Sequence, residues 1–421
     1  MSSFYSPLRI RFITLLLSGT VLYFFANIQR VAIPGAVFNQ LQQLYSCPAA
    51  GVTALGASFM YAYAVMQPLT GLLLDRFGSS RMLIVGGFVF TAGEFCFSRA
   101  TSLPGACCAQ VLAGIGGGTL YLTLLRDNMR VFRDKYNITL SAIILLGYAG
   151  GVTANAPYLL LINAVGLQNA FTLSAVCVFL FWIICLLLIL PGKLQAERKQ
   201  RTFSLREFLP VVKSSHNLKL YIFGALNFGL FYVLQTVIGK KFLQDFCAMP
   251  DLQAGWLFST TGAVAASGGF LFALLGYLTN GKRQLFCRIA GICSITVFGT
   301  IFTLILLNIR NGMIYSGLLI LLSATASLST VLIPMLKESN PDSVIGKSIS
   351  LLNFTFYLAV AALGNLTGSL LNCFTPQTQN GVSIFGRETW LTISALLFAA
   401  SCVVAYYAFQ LKETNRRQRH D

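Results

Sequence analysis

The stretch Gly71-Leu-Leu-Leu-Asp75-Arg76-Phe-Gly78-Ser-Ser-Arg81 is a charged turn between two runs apolar enough to cross a bilayer. A worn copy stands 205 positions later: Gly276, Leu278 and Asn280 take the places of Gly71, Leu73 and Asp75, and Lys282 and Arg283 follow. One short basic turn used twice, at about half the chain length, implies a duplicated membrane protein.

Composition agrees. The 421 residues are 56% hydrophobic and 10% charged, where soluble domains carry roughly 25% charged residues. The mean hydropathy of +0.71 places the chain in lipid. A net charge of +17 would suggest nucleic acid in a soluble protein. Here the cations sit in short turns between apolar spans, the signature of a cytoplasmic membrane face, so no nucleic-acid partner is expected. The eleven cysteines show no metal-ligand spacing; Cys107, Cys108, Cys177 and Cys185 lie in apolar runs, where cysteine acts as a small hydrophobe. Cys47, Cys247 and Cys373 fall on the expected outer side, where a disulfide is conceivable, but sequence does not give connectivity. No nucleophile motif, paired carboxylates or metal cluster points to an enzyme, and no cofactor is expected. The first apolar span contains Asn27, Gln29 and Arg30, which is wrong for a cleavable signal core.

Working outward from the turn, twelve apolar stretches reach the ~20 residues a membrane helix needs: 10–34, 50–74, 81–98, 103–125, 139–162, 168–190, 218–242, 253–278, 285–308, 313–335, 346–371 and 388–410. The long polar segment Gly192 to Asn217 divides them into two sets of six. This predicts an N-terminal bundle over 1–191, a cytoplasmic linker over 192–217, and a C-terminal bundle with a short basic tail over 218–421. The linker should form an interfacial helix with Phe203, Leu205, Phe208 and Leu209 toward the headgroups. With both termini inside, 24 of the 30 basic residues fall on the cytoplasmic side, a bias that fixes orientation.

The turn 71–81 resembles the loop motif between helices 2 and 3 of the major facilitator superfamily. Tyr61-Ala-Tyr63-Ala-Val-Met66-Gln67-Pro68, Gln29-Arg30-Val31-Ala32 and Asn155-Ala-Pro157-Tyr-Leu-Leu-Leu resemble its bacterial branch related to sugar-phosphate permeases. The resemblance covers the whole chain. It implies an all-α fold of twelve transmembrane helices in two pseudo-symmetric six-helix bundles, a monomer, and a bacterial inner membrane. It also implies that Asp75 faces the N-terminal end of helix 11, near Gly346 to Ser350, latching the halves. Gly71 would allow close packing, Gly78 a tight reversal, and Arg76 and Arg81 would pair with acids or lipid headgroups. The bland alternative is a charged turn that only sets topology.

Arg30 is the expected substrate residue. Tyr23, Asn27 and Arg30 fall at i, i+4 and i+7, on one helix face. An arginine in the membrane costs at least ~2.5 kcal/mol unless it faces a cavity or partner, and its fork suits carboxylate or phosphate. The alternative is an arginine near the outer interface, snorkelling to water. The repeat offset carries Arg30 onto Gln235. The two-arginine clamp that resemblance to phosphate permeases implies is thus missing one member, and a carboxylate or monoanion fits as well as an organophosphate. Lys240, Lys241 and Asp245 lie just beyond, at the expected outer mouth. Tyr63, Gln67, Tyr121, Asn155, Asn353 and Tyr357 complete the candidate polar lining, against the alternative of ordinary helix–helix hydrogen bonds.

Glu94 is the carboxylate well inside a predicted span and the candidate for proton coupling, unless it pairs near the surface with Arg99. Gln110 stands where a common proton-transporter motif has arginine, with Gly114 retained. Gly147, Gly150, Gly151 and Pro157 are only loosely similar to the antiporter motif. The expected function is secondary transport of a small organic anion by rocker-switch alternating access, with a proton or counter-anion as the coupled species. The alternatives are an exporter of amphipathic compounds and a ligand sensor built on the same fold.

Overall fold

The computed structural model describes residues 7–132, 136–190, 208–279, 282–341, 344–379 and 381–414. Most of the expected interfacial linker, including Phe203 and Leu205, lies outside these residues, as does Asn280 of the second turn.

The described chain is helical almost throughout. In order come α1 (Pro7–Val31), α2 (Phe38–Tyr45), α3 (Ala49–Phe77), α4 (Ser79–Arg99), α5 (Leu103–Val131), α6 (Tyr136–Thr153), α7 (Ala156–Val165) and α8 (Leu167–Ile189). After the linker follow α9 (Leu209–Lys213), α10 (Ser215–Val233), α11 (Gly239–Cys247), α12 (Asp251–Leu278), α13 (Arg283–Leu306), α14 (Gly312–Ala324), α15 (Ser329–Ser339), α16 (Ile345–Asn372) and α17 (Arg387–Gln410). A hairpin, β1 (Gln377–Gln379) with β2 (Val382–Ile384), precedes α17.

Eleven helices or continuous helix pairs are long and apolar enough to span a membrane, and α6 with α7 makes a twelfth, bent by 53°. The expected twelve-span, all-α architecture is therefore the one observed. Local chemistry accounts for its irregularities. Pro157 opens α7 with Asn155 before it, so the fifth span bends there. The first span ends at a turn over Ala32–Ala36, where Ile33 leaves helical geometry (φ −112°, ψ 109°). The seventh carries a wide π turn at Leu234–Ile238, joining α10 to α11. The tenth breaks between α14 and α15. In the charged turn Gly78 sits at φ 77°, ψ 162°, in the region that glycine enters without a Cβ clash, and it starts α4 directly. Ser102 caps α5, its Oγ accepting from Gly105 N at 3.3 Å, with Pro104 in the first turn.

Two compact units result: Met1–Ala32 with Ser58–Phe203, and Ile33–Ala57 with Ser204–Asp421. The packing thus groups Ile33–Ala57, which precedes the linker, with the second unit. In the first unit α4 lies on α5 through glycines: Gly93 abuts the Ala113 backbone, Gly116 that of Phe90, and Gly86 the Thr119 side chain. Bulky apolar side chains such as Leu17, Leu145 and Leu187 are more than half exposed, as on a surface bathed in lipid.

All eleven cysteines are free, so Cys47, Cys247 and Cys373 form no disulfide. At the start of the second half Leu209 is exposed and Val211 buried.

Candidate functional site

In the first unit the residues singled out on the first span do share a face, and that face is buried. Arg30 is 4% exposed. Its Nη2 donates to Asn27 Oδ1 at 2.5 Å, and its guanidinium carbon lies 5.9 Å from the Tyr63 ring centroid on α3. Asn27 Nδ2 donates back to the Tyr23 carbonyl at 2.8 Å. The Tyr23 ring lies 5.6 Å from that of Tyr121 on α5. Small residues bring α6 against this face: Gly147 lies on the Tyr23 ring, and Gly150 on the Phe24 carbonyl and Asn27 Cβ. The cation thus has a carboxamide and one tyrosine ring beside it, and Tyr23 and Tyr121 extend the same buried face. An arginine tied by an amide and set beside an aromatic ring has its fork restrained, and a guanidinium fork suits planar recognition of a carboxylate or phosphate.

The other candidates are placed differently. Gln67 Nε2 donates to the carbonyls of Tyr63 and Gly118, both at 3.4 Å, and so ties α3 to α5. Asn155 Nδ2 donates to the Gly151 carbonyl at 3.0 Å, across the bend of the fifth span. In the second unit Gln235 Nε2 donates to the Phe258 carbonyl at 2.9 Å, and its Oε1 accepts from Thr261 at 2.7 Å. Both ends of the amide that replaces a second arginine are thereby engaged by α12. Asn353 and Tyr357 are half-buried on α16, with Tyr357 edge-on to Phe228 at 5.5 Å.

In the charged turn, Asp75 ion-pairs with Arg126 of α5 at 3.0 Å, and Ser79 donates to Asp127. Gly71 is half-buried; Arg76 and Arg81 are exposed, Arg76 lying over the Phe77 ring at 5.4 Å. The Arg126 partner was not anticipated from sequence. A signal for it exists: α3 and α5 run side by side at a fixed offset, since Gln67 meets Gly118 as Asp75 meets Arg126, each 51 positions apart. In the second unit Arg283, in the turn, pairs with Glu338 at the end of α15.

Lys240 and Lys241 are the larger surprise. Both are buried, and so is Asp245. Lys240 Nζ binds Asp251 at 2.7 Å and the Ala36 carbonyl at 2.5 Å. Lys241 Nζ binds Asp245 at 2.8 Å and the Ser383 carbonyl at 2.5 Å. Asp245 also accepts from Phe385 N at 3.1 Å, Gln42 reaches Ser383 Oγ at 3.0 Å, and Asn39 reaches Gln244 at 3.2 Å. These lysines are neutralised fasteners that hold Ile33–Ala57 and the β-hairpin within the second unit.

Glu94 is 4% exposed, and among the described residues it makes no ion pair; Arg99 is exposed. Nearby, Gln29 Nε2 donates to Gln110 Oε1 at 3.3 Å, and Tyr158 and Ser174 share a hydrogen bond of 3.1 Å.

Twelve apolar spans, a repeated basic turn and a buried polar cluster define an integral membrane transporter. The chain belongs to the Major Facilitator Superfamily, whose family model matches residues 15–364. It is 26% identical over 174 residues to the putative multidrug resistance protein MdtD of Klebsiella pneumoniae, covering 41% of this chain and 36% of that one. It is 30% identical over 147 residues to the oxalate:formate antiporter of Oxalobacter formigenes, 34% of each chain. The matches therefore span about a third of the length of these curated relatives. In fold it is similar to the nucleoside transporter NupG (TM-score 0.69, 15% identity, 94% of this chain and 98% of that) and to the D-xylose-proton symporter (TM-score 0.70, 12% identity, 96% and 98%).

Proposed function

We propose that this protein is a secondary active transporter of a small organic anion, a carboxylate or organophosphate. In this reading it works by alternating access of its two halves, in a bacterial inner membrane with both termini cytoplasmic. The observation that carries the reading is the burial of Arg30, fixed by Asn27 and set beside Tyr63. A snorkelling arginine would reach water at the helix end; this one is turned into the bundle. The partial likeness to an oxalate:formate antiporter supports a carboxylate, with a counter-anion as the exchanged species. Arg30 orients the anion, Tyr23, Tyr63 and Tyr121 shape its surroundings, and the Asp75 turn belongs to the gating elements.

The test is exchange of labelled oxalate against internal formate, and of a panel of organophosphates, in proteoliposomes. Saturable exchange weakened at least about tenfold by Arg30→Ala supports the proposal; exchange untouched by that substitution removes Arg30 from the site. The several relatives called multidrug resistance proteins favour a second reading, export of amphipathic compounds. Dye resistance on expression, without anion flux in vesicles, would establish that reading instead.

A further inference from the structure

The packing of α4 puts Glu94 in a buried polar layer of the first unit. Three neighbours fix the level. Gly87 touches Leu22 of α1 and Trp182 of α8. Since α1 runs parallel to α4 and Glu94 is seven residues beyond Gly87, the α1 residue at its level is Gln29. Against antiparallel α8, Trp182 bonds the Ile84 carbonyl at 3.0 Å and Phe171 packs on Phe97 at 5.1 Å, which sets Glu94 opposite Ser174. Against α5, the Gly93–Ala113 and Gly116–Phe90 approaches put Gln110 within two residues of that level, about 3 Å along the axis. Ser174 brings Tyr158 of α7 with it. Every member of this layer is at least nine-tenths buried.

Two atoms in the layer lack a hydrogen bond, and they are complementary: Glu94 Oε1, an acceptor, and Gln110 Nε2, a donor. An ionised carboxylate buried without a cation is strongly disfavoured, and ionisable groups retained inside spans mark ion and proton paths. The layer also leads to the anion site, because Gln29, which holds Gln110, precedes Arg30 in the chain.

The other charged and titratable groups on the packed elements lie elsewhere. On α1 Arg30 is turned to Asn27 and Tyr63, and Arg11 is exposed; on α4 Arg81, Arg99 and Cys96 are exposed; on α5 Cys107 is half-buried, Cys108 exposed and Arg126 paired with Asp75; on α8 Cys177 is half-buried and Cys185, eleven residues beyond Ser174, is buried. Tyr23 of α1, six residues before Gln29, packs at a tilt against Tyr121 of α5, and Asp127 is held at Ser79, fifteen residues and about 22 Å along α4.

We propose that Glu94 is a proton-binding site of the transport cycle, carrying its proton in the conformation described and releasing it to water in another. The Glu94 O–H bond breaks, water takes the proton, and a carboxylate remains. The bend between α6 and α7, three residues before Tyr158, is the hinge positioned to uncover it. Only the word "transport" here rests on the proposed function; the proton site does not.

The test therefore has a substrate-free arm. The full-length protein in liposomes is treated with dicyclohexylcarbodiimide, which attacks protonated carboxyls in apolar surroundings, and labelling at residue 94 is read by peptide mass spectrometry from acid to alkaline pH. In parallel, infrared spectra are compared between wild type and Glu94→Gln. The expected result is labelling that falls at least tenfold as pH rises, and an acid carbonyl band that Glu94→Gln removes. Labelling that is absent or does not vary with pH, or a band unchanged in Glu94→Gln, overturns the proposal. A second arm uses oxalate: a pH gradient should accelerate uptake in wild type and not in Glu94→Gln, while exchange at equal pH persists in both. Acceleration retained in Glu94→Gln overturns the coupling role. If oxalate is not moved at all, the proposed substrate fails while the labelling still decides on Glu94.

Discussion

Arg30 shows what one residue contributes. Its position near the end of an apolar run left two readings open, because the same guanidinium can reach water or turn inward. Packing decides: α3 supplies the Tyr63 face, and the glycines of α6 let that helix close over Tyr23 and Asn27. A charge-assisted hydrogen bond contributes about 1.5–3 kcal/mol, so Arg30→Ala should weaken anion exchange by roughly 10- to 100-fold, since each 1.4 kcal/mol is a factor of ten. Arg30→Lys keeps the charge without the fork and should recover only a small part of the rate. Concentration-dependent uptake in vesicles checks both. Other polar residues were legible as polar but not in role. Gln67 and Gln235 read as lining, yet each bonds a backbone carbonyl of a neighbouring helix. Residue type states that an amide needs partners; it does not say whether a substrate or a helix provides them.

At the scale of elements, two devices have measurable strength. The α4–α5 contact depends on absent side chains, so Gly116→Val, which would drive methyls into the Phe90 backbone, should destabilise by about 1–3 kcal/mol. Thermal unfolding in detergent should show a lowered midpoint. The Lys241–Asp245 pair is buried on both sides. Lys241→Met leaves a buried carboxylate alone and should cost about 3–5 kcal/mol. The double variant Lys241→Met with Asp245→Leu should restore most of that loss, which the same unfolding measurement would reveal. A surface pair would show neither effect. Each unit also ties its turn region to a neighbouring helix by an ion pair, Asp75–Arg126 in the first and Arg283–Glu338 in the second.

For the whole molecule, the span count and the run of cations predict an even number of crossings with both ends on one side. Reporter fusions test this directly. An alkaline phosphatase joined after Ser46 or Gly312 should be active, and one joined after Lys213 or Glu413 inactive; the opposite pattern reverses the orientation. Hydropathy made twelve spans readable because a bilayer demands about 20 apolar residues of any helix that crosses it, and the repeated turn made the duplication readable. The breaks after Ala324 and at Asn155, the π turn around Gln235 and the hairpin before α17 were not readable as such, for they follow from how neighbouring helices satisfy freed backbone groups.

The sequence by itself determined the membrane, the number of crossings and the repeat, because each follows from composition or period along one chain, and it pointed to the family through the resemblance of its motifs. Only the tertiary structure decided that Arg30 is buried, that Lys240 and Lys241 are neutralised fasteners, that Ile33–Ala57 packs within the second unit, and that Glu94 shares a layer with Gln29 and Gln110. Burial and partnership are properties of pairs of segments far apart in the chain, and the energy of a charge in a membrane depends on them more than on its own identity.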